Sequence, residues 1–250
     1  MSSSAIHGIE KPVALITGAS QRLGADMARS LHARGMRVVV HYHQSGTAAR
    51  ALCASLDAER PGDTWLVKAD LISAGAPMTI IGAVEAHWGR LDVLINNASA
   101  FYPTPIAESR TEDWEALFGV NLRAPYFLTQ AAMPMLRAQQ GLVINLADIY
   151  AERPRADYPI YCASKAGLIG LTRALARDLA PDIRVNAIAP GAILLSSETT
   201  PTRQAEMLAR TPLGRFGDSE DIARAMNYFV DASYVTGQVL TVDGGRTIFD

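Results

Sequence analysis

An α/β fold, with a doubly wound parallel sheet of about seven strands and helices on both faces, is predicted by three features of the 250-residue chain. Short, almost wholly apolar runs recur along it, as expected of strands buried on both faces. Stretches of helical periodicity separate these runs, and that alternation calls for right-handed crossovers within one sheet. The first run also leads through a glycine-containing turn straight into a helix, the opening of a Rossmann-type dinucleotide-binding unit.

The bulk composition narrows the setting. A hydrophobic fraction of 49% can fill a substantial core, and the length suits a single domain over 12–250 behind a disordered, Ser-rich tail over 1–11. The net charge of −2 and scattered arginines offer nucleic acid no basic surface. Cys53 and Cys162 form no C-x-x-C pattern, which suggests a reducing compartment and no metal site. No apolar run approaches the roughly 18–20 residues that span a bilayer, so the expected setting is the cytoplasm, with a small-molecule substrate and no membrane.

The first strand is Pro12 to Thr17, and Thr17-Gly18-Ala19-Ser20-Gln21-Arg22-Leu23-Gly24 makes the turn that presents helix N-terminal N–H groups to a phosphate. A helix from Ala25 to Arg34 closes at Gly35, and Arg37 to His43 reads as the second strand. Sites for NAD usually carry Asp or Glu at this strand end to bind the ribose 2′-hydroxyl. Here the positions are His41, Tyr42, His43, Gln44 and Ser45, so no carboxylate repels a 2′-phosphate and NADPH is the expected cofactor. His41-x-His43 lies on one face of the strand, but a metal would need a third ligand and none is in view.

Further units repeat the pattern. Thr64 to Leu71 is a third strand ending at Asp70-Leu71, a helix runs from about Gly75 to Trp88, and Leu91 to Asn96 is a fourth strand. Asn97, Ala98 and Ser99 follow on its carboxyl side, where small and amide side chains allow close approach of a cofactor. Pro103 and Pro105 stiffen the loop carrying Phe101 and Tyr102, and a flat ligand could stack on Phe101. A helical stretch from Thr111 to Ala138 should be kinked or interrupted at Pro125 and Pro134, with Asn121 either structural or part of a proton relay. Gly141 to Ala147 is the fifth strand, delivering Asp148 to the ligand-binding edge.

Tyr161 and Lys165 lie four apart at the head of the next helical pattern, hence on one face. With 8 Tyr but only three Lys in the chain, that spacing is rare by chance. An ammonium within reach favours the phenolate and would draw the phenol down toward working pH. Ile183 to Ala189 is a sixth strand, turned out by Pro190-Gly191. The irregular stretch over about 191–217 reads as a substrate lid. Asp218 caps a last helix to about Val230, and Gln238 to Gly245 closes the sheet.

Together, Thr17-Gly18 to Gly24, Asp70-Leu71, Asn96-Asn97-Ala98, Asn121, Tyr161-x-x-x-Lys165, Pro190-Gly191 and Asp243-Gly244-Gly245 resemble the short-chain dehydrogenase/reductase family, in order over nearly the whole chain. Arg22 where a second glycine is usual, Ser99 for a glycine and Asp148 for the usual serine resemble the pteridine reductase branch. So do His41 to Ser45 and Asn96 to Pro105.

That resemblance implies a homotetramer reducing a dihydropteridine (dihydrobiopterin, dihydromonapterin or also dihydrofolate) with NADPH. It implies that Gly18, Arg22, Leu23, Gly24, His43, Ser45, Asp70, Leu71, Asn97, Ala98, Ser99, Tyr161, Lys165, Pro190 and Gly191 hold the cofactor, Arg22, His43 and Ser45 at its phosphates. Phe101 would sandwich the pterin, with Arg22, Ser99, Asp148, Tyr158 and Tyr161 around it, and Asp148, Tyr161, Lys165 and Asn121 would carry the catalysis. Gln44 where Arg is common, and Ile193 for a polar residue of the substrate loop, depart from the branch. A general carbonyl or ketoacyl reductase is the alternative, and a non-catalytic NADPH sensor a more remote one.

Overall fold

The computed structural model describes residues 11–194 and 199–248. The expected N-terminal tail lies outside these, except for Lys11, whose ammonium donates to the Asp63 carboxylate.

Seven parallel strands form one sheet in the order β3-β2-β1-β4-β5-β6-β7, over Val13–Ile16 (β1), Arg37–Tyr42 (β2), Thr64–Lys68 (β3), Val93–Asn96 (β4), Leu142–Leu146 (β5), Arg184–Pro190 (β6) and Val239–Val242 (β7). Chain order reverses between β1 and β4, so a crevice opens beyond their carboxyl ends, where such sheets take ligands. Alternation within β1 shows why these strands are apolar throughout. Ala14 and Ile16 enter one core with helices Arg22–Ala33 (α1), Gly46–Glu59 (α2) and Ser219–Asp231 (α8). Val13 and Leu15 enter the other, with Ala76–Trp88 (α3), Ala124–Ala138 (α5) and Pro159–Leu179 (α6).

Several element ends differ from the sequence expectations. β3 stops at Lys68 because the chain turns at Asp70, whose Oδ1 accepts from the Ile72 amide at 3.1 Å. β4 begins at Val93, just after Asp92, whose carboxylate accepts from the Val13 amide at 2.8 Å. α2 was not singled out in the sequence: it is rich in alanine and buries only Ala49, Leu52, Cys53 and Leu56, a faint periodic signal.

The stretch over 111–138 divides ahead of Pro125. Thr111–Phe118 (α4) passes into a π turn over Gly119–Arg123 and then into α5. Pro125 has no N–H for the carbonyl four residues back, that of Asn121, so the backbone widens and the Ala124 amide bonds Gly119 O. Pro134 stays inside α5. The expected lid contains a helix, Pro201–Ala209 (α7), capped by the Thr200 hydroxyl on the Arg203 amide and burying none of its residues.

Candidate active site

The turn after β1 is built against β4. Gly18 has φ +62°, and a methyl group there would lie 3.0 Å from Ala98 Cα; one on Gly24 would lie 2.4 Å from Gly18 O. Only glycine allows that approach. Asn97 pins the turn through Nδ2, which donates to Thr17 O at 2.8 Å and Gly18 O at 3.1 Å. Thr17 Oγ1 accepts from the Asn97 and Ala98 amides at 2.9 and 3.0 Å. Asn97 and Thr17 thus serve the crevice by fixing its floor.

His41 is a second tie. Its Nδ1 accepts from the Gly18 amide at 3.2 Å, and Nε2, also at 3.2 Å, faces Ala69 O, an arrangement that suits a neutral ring protonated on Nε2. Burial holds its pKa down at about 4. His41 is therefore a structural tie, and no group of three metal-ligating side chains occurs among the described residues.

Beyond β2 lies a cavity of about 430 Å³ lined by Tyr42, His43, Gln44, Gly46, Thr47, Arg50 and Lys68. Arg50, in α2, and Lys68, at the end of β3, join the residues expected from sequence because folding brings both elements to the end of β2. The signal was available in the helix after β2 and in the last residue of β3, which lies in register with Tyr42. Ser45 sits at this rim as the N-cap of α2, and Asp70 Oδ2 lies 3.9 Å from His43 Nε2. Leu71 beside it is buried.

Arg22 is placed elsewhere. It has φ +52°, a left-handed backbone costing a side-chain-bearing residue about 1–2 kcal/mol, and its guanidinium donates to Leu194 O at 2.8 Å, tying the turn to the loop after β6. It is not among the side chains that line the cavity beside His43. Its neighbour Leu23 packs against the core. Pro190 ends β6, and Gly191 crosses so close to Asp243 that a methyl group there would meet Asp243 Cβ at 2.6 Å. Ile193 points into the core, which explains an apolar residue where the substrate loop resemblance anticipates a polar one.

At the end of β5, Asp148 caps a short 3₁₀ turn over Ile149–Ala151, its Oδ1 accepting from the Tyr150 amide at 2.8 Å. Its Oδ2 accepts from the Tyr161 hydroxyl at 2.8 Å. Tyr161 and Lys165 rise from the first turns of α6, both almost fully buried. The Lys165 ammonium donates to Leu146 O at 2.7 Å and lies 5.8 Å from the centre of the Tyr161 ring.

These groups shift one another. Burial pushes the Asp148 carboxyl up, against the Tyr150 amide, the Tyr161 hydroxyl and the charges of Lys165 and Arg155. Burial brings Lys165 down to about 8, against the pull of Asp148. The Tyr161 phenol is raised, first by burial and then by the Asp148 charge it bonds. This runs against the expectation that the ammonium draws the phenol down: a phenolate beside a carboxylate in a dry site is unfavourable, and burial and Asp148 raise the phenol.

Asn121 lies in the π turn, fully buried, and all its bonds are accounted for. Oδ1 accepts from Ser99 Oγ at 3.0 Å and the Ala100 amide at 2.9 Å, while Nδ2 donates to Ala100 O and Ser164 Oγ, each at 3.0 Å. Through these bonds the side chain fastens the Ser99 to Phe101 loop to α6. Phe101 is 46% exposed, stacks on Tyr158 at 4.7 Å between centroids and meets Tyr161 edge-on at 4.7 Å.

The arrangement joins a nucleotide crevice to a buried acid, phenol and ammonium. Residues 18–247 match the family model described as enoyl-(acyl carrier protein) reductase. Pteridine reductase 1 of Leishmania tarentolae is 36% identical, over 95% of this chain and 96% of that protein. A 3-oxoacyl-[acyl-carrier-protein] reductase of Synechocystis is 37% identical over 95% and 97%, and a putative ketoacyl reductase of granaticin polyketide synthase from Streptomyces violaceoruber 38% over 94% and 96%. The chain belongs to the short-chain dehydrogenase/reductase family. As a short-chain reductase it is an oxidoreductase using a nicotinamide cofactor. Among its described residues no helix is long and apolar enough to cross a membrane.

Proposed function

We propose that this short-chain reductase is an NADPH-dependent pteridine reductase, converting a dihydropterin such as dihydrobiopterin or dihydromonapterin to its tetrahydro form. The observation that carries the reading is the 2.8 Å hydrogen bond from the Tyr161 hydroxyl to Asp148 Oδ2. A serine in that place would donate to a carbonyl oxygen. A carboxyl can give a proton to a ring nitrogen or accept an N–H, which reduction of a C=N bond requires.

The donor set beyond β2 fits a dinucleotide bearing a 2′-phosphate, since His43, Arg50, Lys68, Thr47 and Gln44 offer cations and hydrogen-bond donors and no carboxylate lines that cavity. Bound NADPH supplies the hydride. The chain's own residues then manage the proton. Burial favours the protonated form of both Asp148 and Tyr161, and of the two the carboxyl is the stronger acid and so the better proton donor. Tyr161 orients the carboxyl through its hydrogen bond to Oδ2, Lys165 balances the negative charge that Asp148 acquires until solvent returns the proton after turnover, and Phe101 provides a half-exposed face for a flat ring.

The ketoacyl reductases of comparable identity favour the alternative, a carbonyl reductase; Asp148 and Phe101 speak against it. Following NADPH oxidation with dihydrobiopterin, dihydromonapterin, dihydrofolate and 3-oxoacyl thioesters separates the two. Turnover of the dihydropterins with the highest kcat/KM is the expected result. Turnover of 3-oxoacyl substrates alone would reject the proposal.

A further inference from the structure

A second cavity, of about 700 Å³, opens on the far side of Tyr158 and Tyr150, which line it. Its charged lining is one-sided: Arg153, Arg155, Arg203, Arg210 and Arg246 against the single carboxylate Asp157. Arg155 stacks its guanidinium over Tyr158, with its carbon 4.3 Å from the ring centre, and also lies 5.6 Å from the centre of Phe101. Arg203 pairs with Glu206 at 2.9 Å. Among the described residues Arg153, Arg210 and Arg246 have no carboxylate partner. Three different segments supply these five side chains: the loop after β5, the two ends of α7 and the chain after β7.

Guanidinium groups brought together without counter-charge repel one another, and a phosphate or carboxylate between them relieves that repulsion through forked hydrogen bonds. The volume lies within the range of small-molecule sites, roughly 300–1,000 Å³, and the aromatic wall is shared with the ring platform of the active site. We propose that this cavity receives a multiply charged anionic tail on the substrate, phosphate or carboxylates joined by a short linker to the ring that Phe101 flanks. The inference rests on the pterin reading and extends it to the substrate's side chain. A concave site with aromatic walls suits a small tail better than the acidic face of a carrier protein.

The test uses the full-length enzyme with NADPH and three kinds of dihydropterin sharing one ring: dihydrobiopterin with its neutral side chain, dihydroneopterin phosphate, and dihydrofolate bearing one or three glutamates. At low salt, kcat/KM should be at least about tenfold higher for the phosphate or for the triglutamate than for dihydrobiopterin, and the gap should narrow as salt rises. Whichever is favoured identifies the anion. Arg210→Gln combined with Arg246→Gln should abolish the preference through KM, leave dihydrobiopterin turnover within about twofold and keep the melting temperature; the corresponding Lys pair should restore part of it. Equal kcat/KM for neutral and anionic pterins, or a preference that survives in the Gln pair, would overturn the proposal while leaving the pterin reading intact. Absence of turnover with every dihydropterin would overturn both. Arg-dependent turnover only of a 3-oxoacyl group carried on an acyl carrier protein would assign the arginines to protein docking instead.

Discussion

At the scale of single residues, Asp148 changes what Tyr161 can do. The hydrogen bond that holds the phenol also keeps it protonated, and burial leaves the carboxyl protonated to higher pH than an ordinary aspartate. A reaction drawing its proton from this pair should therefore slow as pH rises through the raised Asp148 value. In Asp148→Asn the titrating group is gone, so the smaller remaining activity should lack that decline; a pH profile of kcat/KM for both proteins checks it, and superimposable alkaline limbs would exclude the carboxyl as the source. Linkage gives the matching stability effect. The folded state binds this proton more tightly than the unfolded one, so ionising Asp148 costs stability as pH climbs from the ordinary carboxylate value through the raised one.

At the scale of elements, the π turn and the loop after β4 act together through Asn121. Asn121→Ala would leave the Ala100 amide without its acceptor, the Ser164 hydroxyl without the Nδ2 donor, and the Ala100 carbonyl with only the long Ser99 hydroxyl contact at 3.4 Å; an unsatisfied buried group costs about 1–3 kcal/mol. The variant should lose about 2 kcal/mol or more in urea denaturation, with activity falling because the Phe101 loop loosens. Unchanged stability with collapsed kcat would restore the proton-relay reading. The sequence announced the strands, the Asp148, Tyr161 and Lys165 positions and the glycine turn, because period, spacing and turn chemistry are local. It could not announce that Arg22 turns to Leu194, 172 residues away, or that Lys165 bonds Leu146 O. Those follow from tertiary packing, as does the cationic cavity that Arg50 and Lys68 complete.

At the scale of the whole molecule, the sheet reversal between β1 and β4 puts the nucleotide crevice next to the β5 and α6 ends that carry the acid, the phenol and the ammonium. In the proposed reading, cofactor choice is exercised at the cavity beyond β2 and substrate choice beside Asp148. With Arg50 and Lys68 both changed to Gln, the NADPH over NADH preference should fall by about tenfold or more and lose most of its salt dependence. Arg22→Ala should leave that ratio nearly unchanged, because its guanidinium lies outside the cavity. Fluorescence titration with both cofactors reads the outcome, and equal affinity in the unmodified protein would remove the 2′-phosphate assignment.

If Asp148 makes this short-chain reductase a pterin enzyme, as proposed, Asp148→Ser should undo it. The substitution places the hydroxyl common in the family beside Tyr161 while retaining Lys165 and the cofactor crevice. Steady-state kcat/KM for dihydrobiopterin and for a 3-oxoacyl thioester, measured with NADPH on both proteins, should show pterin reduction lower by at least about 10²-fold. NADPH affinity should stay nearly unchanged, and residual activity should shift toward the carbonyl substrate. Full pterin activity in Asp148→Ser, with no gain on the carbonyl, would contradict the account.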